Sequence, residues 1–278
     1  MKNKNDELKK IVKEKYSEIA EQTKEQNETS CCGSTSCCGK GNIVFGENYE
    51  NINGYNPDAD LGLGCGLPTE FAQIKKGDTV VDLGSGAGND CFVARALVGD
   101  SGRVIGIDMT EAMIKKAKEN AAKLGFKNVE FRLGDIEKMP LTSNVADVVV
   151  SNCVLNLVPD KVKAFSEIYR ILKSGGHLSV SDVVIEGELH TAIKEAAEMY
   201  AGCVSGAIQT QVYLKIMEEA GLKNVKIQKK KSIQLPDEIL IKYMSAEQIK
   251  EYRASNTGVF SITVYAEKQK GCCCNCNC

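Results

Sequence analysis

Histidine is almost missing from this chain: 278 residues include two, His177 and His190. That scarcity makes mixed Cys/His zinc sites and histidine general bases poor first guesses. A dominant charge is missing too. Lys and Arg number 35 against 37 Asp and Glu, so no global basic field favours nucleic acid. No run approaches the about 18 apolar residues that a membrane span needs. The opening residues, MKNKNDELKKIVKEKYSEIA, lack the apolar stretch and small-residue cleavage site of a secretory signal. The expectations are a cytoplasmic chain with no nucleic-acid partner and no membrane, and by default a monomer.

What remains is ordinary, with one exception. At about 150 residues per domain, the length suits one large or two modest domains and can bury a core without staples. A hydrophobic share of 43% and a charged share of 26% are those of a globular protein. The exception is cysteine, which occurs 13 times. Cytosolic thiols stay mostly reduced, so metal binding or redox chemistry outranks a disulfide framework. Four cysteines sit in SCCGSTSCCGKG (Cys31, Cys32, Cys37, Cys38), and five close the chain in GCCCNCNC (Cys272, Cys273, Cys274, Cys276, Cys278). Cys65, Cys91, Cys153 and Cys203 are isolated. Neither cluster has two separated C-x-x-C pairs, which weakens a zinc-finger reading. The adjacent cysteines of GCCCNCNC suit capture of arsenite or a soft metal, a strained vicinal disulfide, or simple redundancy.

Along the chain, apolar residues at helical spacing predict an amphipathic helix over residues 6–24. Residues 26–41 carry no core-forming side chains, and 42–70 read as an irregular ordered loop with Pro57 and Pro68. From residue 77 the pattern changes. TVVDLG, RVIGIDM, NVEFRLGD, ADVVVSN and HLSVSDVV read as strands, separated by helices, one opened by Thr110 as its N-cap. That alternation predicts βαβ units and a parallel sheet covered on both faces. Helices near 189–202, 209–221 and 237–254, a segment KNVKIQKKKSIQLP and a strand GVFSITVYAEK follow. They are expected to form a smaller mixed α+β cap. The expected divisions are 1–41, 42–187, 188–268 and a tail at 269–278. Lys229–Lys231 could touch phosphates, but a solvated strand end accounts for them better.

VVDLGSGAGND places Gly84, Gly86 and Gly88 between a strand and a helix, where the backbone must turn sharply and approach a ligand. Asp108 closes the next strand 24 residues past Gly84, where a carboxylate can bind both ribose hydroxyls. The loop is G-S-G-A-G rather than G-x-G-x-x-G, which argues against NAD and for another adenosine ligand.

DLGSGAG, GIDM and GDIEKMP resemble, in order, the motifs of class I S-adenosylmethionine-dependent methyltransferases. The resemblance implies a Rossmann-like α/β fold and a cofactor site of Asp82, Gly84, Gly86, Asp108, Met109, Asp135 and Ile136. Within that site Gly84 and Gly86 would face the amino-acid part, Asp108 the ribose, and Asp135 and Ile136 the adenine.

Three isolated cysteines then take on meaning. A soft methyl acceptor with an exposed lone pair, such as trivalent arsenic, needs no base but does need thiolates to hold it. Cys65 lies in GLGCGLP upstream of the cofactor motifs, and Cys203 in YAGCVSGA. Cys153 in SNCVLNLVPD follows a strand, at the end where open α/β sheets bind ligands. YNPDADLGLGCGLP, DLGSGAGNDCFVARALVG, SNCVLNLVPDK and YAGCVSGA together resemble arsenite S-adenosylmethionine methyltransferases over roughly residues 28–210. That resemblance implies As(III) on Cys153 and Cys203, with Cys65 as third ligand or redox partner. It also implies an N-terminal redox cysteine, Cys32 first among the four candidates, and an external thiol reductant of thioredoxin or glutathione type. Cys91, on the helix after the glycine loop, is read as a small buried hydrophobe. The competing readings are a methyltransferase for another small molecule and a thiol-rich protein that sequesters metalloid.

Overall fold

The computed structural model describes residues 4–22, 47–189, 204, 206–234, 237–241, 244–255 and 257–270. Cys31, Cys32, Cys37, Cys38, His190, Cys203 and the cysteine-rich tail lie outside these residues, as does all but the first residue of the helix expected at 189–202.

Five strands build the central sheet: β1 (Thr79–Leu83), β2 (Arg103–Asp108), β3 (Val129–Leu133), β4 (Ala146–Asn152) and β5 (Leu172–Glu186). Of these, β1, β2 and β4 have the largely buried, apolar character of strands covered on both faces. Two more, β6 (Lys223–Ile233) and β7 (Gly258–Glu267), complete one seven-stranded sheet of order β3-β2-β1-β4-β5-β7-β6. The first five pair in parallel, and β7 is antiparallel to both β5 and β6. Beyond residue 187, where a smaller mixed α+β cap was expected, the C-terminal strands extend the central sheet. The long pairing of β5 with β7, from His177↔Glu267 to Glu186↔Gly258, joins strands from either side of that boundary in one ladder.

Alternate side chains of the central strands go to opposite faces. Val81, Leu83, Ile105, Ile107 and Val149 pack with Phe165, Ile168 and Ile171 of α5 (Lys161–Ile171) and with Tyr213 and Met217 of α6 (Thr210–Glu219). Val80, Val104, Val148 and Val150 pack on the other face with Phe92 of α3 (Asn89–Val98) and Met113 and Ala117 of α4 (Glu111–Lys123). Helix α1 (Lys4–Ala20) joins that face through Ala20, with Tyr16 and Ile19 against it, and α2 (Pro68–Phe71) is a single turn. Thr110 does occupy the N-cap position of α4, but its side chain does not cap the helix. At the C-terminal side, α7 (Asp237–Leu240) and α8 (Ala246–Ala254) help to close a separate apolar cluster that contains Cys65 and Cys153. Edge strand β6 is mostly exposed and lysine-rich, a composition that discourages pairing with another sheet. Lys229 pairs with Glu47, and Lys230 with Glu186, so these lysines are a solvated strand edge.

Chain order fixes where a ligand can sit. The chain steps outward from β1 to β2 and β3, then returns to place β4 on the other side of β1. The crevice beyond the ends of β1 and β4 is therefore the topological switch point, where open α/β sheets bind ligands. The glycine loop leaves β1 there, and Cys153 leaves β4.

Candidate active site

A cavity of about 140 Å³ opens at this switch point. Asp82, Gly84, Gly86, Asp108, Met109, Asp135 and Ile136 all line it, and Cys153 stands in the same wall. The glycine loop is held from below. Gly84 and Ser85 donate their N–H groups to the Ile107 carbonyl at 2.7 and 3.0 Å, and Gly86 donates to Asp108 Oδ2 at 3.0 Å. Asp108 Oδ1 accepts the Thr110 N–H at 2.8 Å. Burial raises the Asp108 pKa, and the bonds from Thr110 and Gly86 oppose that rise. Each carboxylate oxygen keeps a lone pair beyond these bonds.

The glycines act in two different ways. Gly86, at φ +51°, has no atom of the described residues within 4 Å of where a Cβ would stand, so its bare backbone faces space. Gly84, at φ +67°, would place a Cβ 2.4 Å from Val154 Cγ2. Its missing side chain lets the turn after β4, which carries Cys153, close against the loop after β1. Ser85 Oγ is buried with no partner among the described residues, although its residue lines the cavity. An orphaned hydroxyl there fits a site shaped for a polar ligand group.

Cys65 and Cys153 are buried thiols, 2% and 4% exposed, in one apolar cluster with Val183, Val204 and Ala207. Cys153 takes a left-handed backbone, φ +59°, and donates its N–H to the Ser181 carbonyl at 2.7 Å. Gly206 fits so closely against the turn after Cys153 that a Cβ would lie 1.8 Å from the Asn156 carbonyl oxygen. The segment just after Cys203 is thus docked on the segment just after Cys153. Cys203 and Cys32 themselves lie outside the described residues.

Sequence reading missed the side chain that joins these parts. Asn152, the last residue of β4, accepts the Cys65 N–H (3.0 Å) and the Gly66 N–H (3.3 Å) on Oδ1. Its amide nitrogen donates to the Gly66 carbonyl (2.9 Å), Tyr49 Oη (2.8 Å) and Asp90 Oδ2 (3.1 Å). Tyr49 in turn donates to Asp90 Oδ1 at 2.8 Å. One amide therefore clamps the Cys65 loop to the strand that ends in Cys153. Burial lifts the Asp90 carboxyl to about 6, against the bonds from Asn152 and Tyr49. Adjacency of Asn152 to Cys153 was the available signal; nothing in the sequence pointed to Tyr49.

Cys91 does more than pack. Fully buried, it donates its thiol hydrogen to Asp82 Oδ2 at 3.2 Å, beneath the glycine loop. Burial, then the Asp90 charge, push Asp82 up; burial and Asp82 push the Cys91 thiol up. Another buried acid, Asp182, lies near the thiol cluster. Asp182 accepts the Tyr213 hydroxyl at 3.1 Å and the Val183 N–H at 3.0 Å, and burial raises it to about 7. Tyr213 is raised first by burial, then by Asp182, with Cys65 and Cys153 adding to the effect. His177 takes no part: its Nε2 lies 2.6 Å from the Ala72 carbonyl oxygen, and it does not line the cavity. Among the described residues, no helix is long and apolar enough to cross a membrane, and no cluster of three His, Cys, Asp or Glu could hold a metal ion.

Residues 74–221 match a family model described as a methyltransferase domain. An arsenite methyltransferase of Halobacterium salinarum is 40% identical over 231 residues, covering 80% of this chain and 59% of that protein. The arsenite methyltransferase of Mus musculus is 36% identical over 73% of this chain and 54% of its own length. The chain thus spans a little over half the length of these curated relatives. The crystal structure of CrArsM, an arsenic (III) S-adenosylmethionine methyltransferase from Chlamydomonas reinhardtii, superposes with a TM-score of 0.62 at 32% identity, covering 75% of this chain and 68% of that one. With a methyltransferase domain across its centre, and sequence and fold shared with these proteins over about three quarters of its length, the chain belongs to the arsenite S-adenosylmethionine methyltransferase family.

Proposed function

We propose that this protein transfers methyl groups from S-adenosylmethionine to thiol-bound trivalent arsenic, giving methylated arsenicals. The observation that carries the reading is the presence of Cys153 in the wall of the same cavity as Gly84, Gly86, Asp108 and Asp135. A thiol there can hold a soft acceptor beside the cofactor.

The residues fit the cofactor. Gly86 leaves room for its amino-acid part, and the Ser85 hydroxyl has an unmet hydrogen bond to give. Asp108 has lone pairs for ribose hydroxyls, and Asp135 and Ile136 would flank the base. S-adenosylmethionine supplies an electrophilic methyl group on a positively charged sulfur.

The chain's own residues do the rest. Cys153 and Cys203 take arsenite or its thiol adduct by ligand exchange, with Cys65 as third ligand or redox partner. Asn152 fixes the Cys65 backbone relative to Cys153 before substrate arrives, which lowers the orientational cost of transfer. Thiolate ligation leaves the arsenic lone pair to form the new carbon bond, and S-adenosylhomocysteine departs. Arsenic becomes formally pentavalent, so two electrons must return it to the trivalent state. A pair of cysteine thiols supplies them by closing a disulfide, with Cys32 the favoured N-terminal partner, and an external thioredoxin- or glutathione-type thiol reopens it. The chain works as a monomer in the cytoplasm, where thiols are kept reduced.

The test is incubation with arsenite, methyl-labelled S-adenosylmethionine and excess thiol, followed by chromatography with arsenic detection. Labelled methylarsenicals are expected. Cys153→Ser should bind S-adenosylhomocysteine normally and form none. Tight arsenite binding without label transfer would make the protein a sequestering one, and turnover by Cys153→Ser at the wild-type rate would remove that thiol from the mechanism.

A further inference from the structure

Helix α1 has no role in the account above, yet it forms part of the cavity. Lys9, Val12 and Tyr16 line it from one face of α1. Lys9 Nζ reaches Asp135 Oδ2 at 2.7 Å and Glu137 Oε2 at 2.6 Å. The Glu137 side chain is only 6% exposed, and its other oxygen accepts the Asp160 N–H at 3.0 Å. The cation paired with this nearly buried carboxylate therefore comes from a helix more than a hundred residues away in sequence. Asp135 is the residue expected at the adenine edge, and its Oδ1 accepts the Glu137 N–H at 2.8 Å. Lys9 thus ties the adenine end of the cavity to α1.

Besides Lys9, the first half of α1 is anchored by Val12, which is buried at the cavity, while its last turn is tied to α4. Leu8 and Ile11 are exposed, and Lys13 meets Glu111 only at the surface, at 3.3 Å. At the far end Lys116 Nζ bonds the Ala20 and Gln22 carbonyl oxygens at 3.0 and 3.3 Å, closing the helix C-terminus. A helix of 17 residues pinned there and latched near its start can pivot off the cavity. We propose that α1 is the movable outer wall of the cofactor pocket and that Lys9 is the positioning residue that latches it onto Asp135 and Glu137, admitting cofactor when released and retaining it when closed.

This inference rests on the methyltransferase reading, and its test separates the two. The full chain, wild type and Lys9→Met, is titrated with S-adenosylhomocysteine by calorimetry, and dissociation is followed by displacement. Met keeps the side-chain length and helix propensity and loses the charge. The expected result is an affinity about five- to tenfold weaker, carried by faster dissociation, with Lys9→Arg restoring most of it. Bound S-adenosylhomocysteine should also slow tryptic cleavage after Lys10, Lys13 and Lys15 in wild type, and much less in Lys9→Met. Unchanged affinity and release in Lys9→Met would overturn the latch while leaving the cofactor reading intact. A wild-type chain that binds no S-adenosylhomocysteine would overturn the cofactor reading, and the latch with it.

Discussion

Replacing Asn152 with alanine probes the joint between the two halves of the site. The side chain accepts two hydrogen bonds and shares its two amide hydrogens among three acceptors, and its loss leaves the Cys65 and Gly66 N–H groups without their acceptor. Cys65 is 2% exposed, so its donor cannot simply turn to bulk water. An orphaned buried donor costs about 1–3 kcal/mol, and Asn152 borders the cavity, where water can replace some partners. Two donors at the low end of that range give a destabilisation of about 2–3 kcal/mol. Urea unfolding at pH 7.5 should show this as a lower midpoint with an unchanged slope. The same loss frees the Cys65 loop from the strand that ends in Cys153, so arsenite, followed by its thiolate absorbance, should bind about tenfold more weakly or worse. Asn152→Asp separates acceptor from donor. It keeps the oxygen that holds Cys65 but sets a second carboxylate beside Asp90, whose pKa already stands at about 6. That variant should be worse than alanine at pH 8 and recover as the pH falls to 5.5. A loss below about 0.5 kcal/mol for Asn152→Ala, the range of an ordinary surface change, together with unaltered arsenite affinity, would refute the clamp.

Three further substitutions test other parts of the architecture. Gly206→Ala puts a methyl group where the Asn156 carbonyl oxygen stands, so one segment must move; a loss of about 1–3 kcal/mol and weaker arsenite binding, with S-adenosylhomocysteine affinity retained, are expected from denaturation and calorimetry. Cys91→Ala removes the thiol donor from buried Asp82 and should cost about 1–3 kcal/mol, whereas Cys91→Ser, which keeps a donor, should recover most of it in the same unfolding assay. Asp182 is protonated more readily in the folded protein, near pH 7, than in the unfolded chain. Its contribution to stability is therefore complete below the usual carboxylate range and is lost as pH rises through about 7. Asp182→Asn, still facing Tyr213 and Lys161, should flatten the change in urea midpoint between pH 5.5 and 8; an unaltered slope would assign that dependence elsewhere.

The sheet was legible because its residues follow a periodic rule. Val80 and Val81, Val104 and Ile105, Val148 and Val149 go to opposite faces in turn, and that alternation is written into neighbouring positions. The place of the glycine loop at the cavity was legible for a related reason, since Gly84, Gly86 and Asp108 sit at fixed distances from strand ends. The joining of β7 to β5 was not. GVFSITVYAEK is an apolar strand on any reading, and its partner is chosen by which sheet edge remains open once β4 and β5 have paired. Gly84 was legible as a required glycine but not for its reason, because the atom it avoids belongs to Val154, seventy residues on.

What sequence spacing conveys least is how two local motifs are held together. Cys65 and Cys153 each stood out in its own segment, but Tyr49, Asp90 and Asn152 come from a loop, a helix start and a strand end. Their pairing is a property of the folded chain. The buried acids show the same thing from the energetic side. An isolated carboxyl at position 90 or 182 carries no mark of burial, and only the packed structure lifts them to about 6 and about 7. Asp90 is fixed by Asn152 and Tyr49, and Asp182 by Tyr213 and the Val183 N–H, so both acids are tied to the elements that frame the thiols. A change of protonation at either acid therefore acts on the frame that spaces the thiols. This predicts that arsenite affinity and folding stability vary together with pH across this window, and that variants at Asn152 or Asp182 alter both dependences at once.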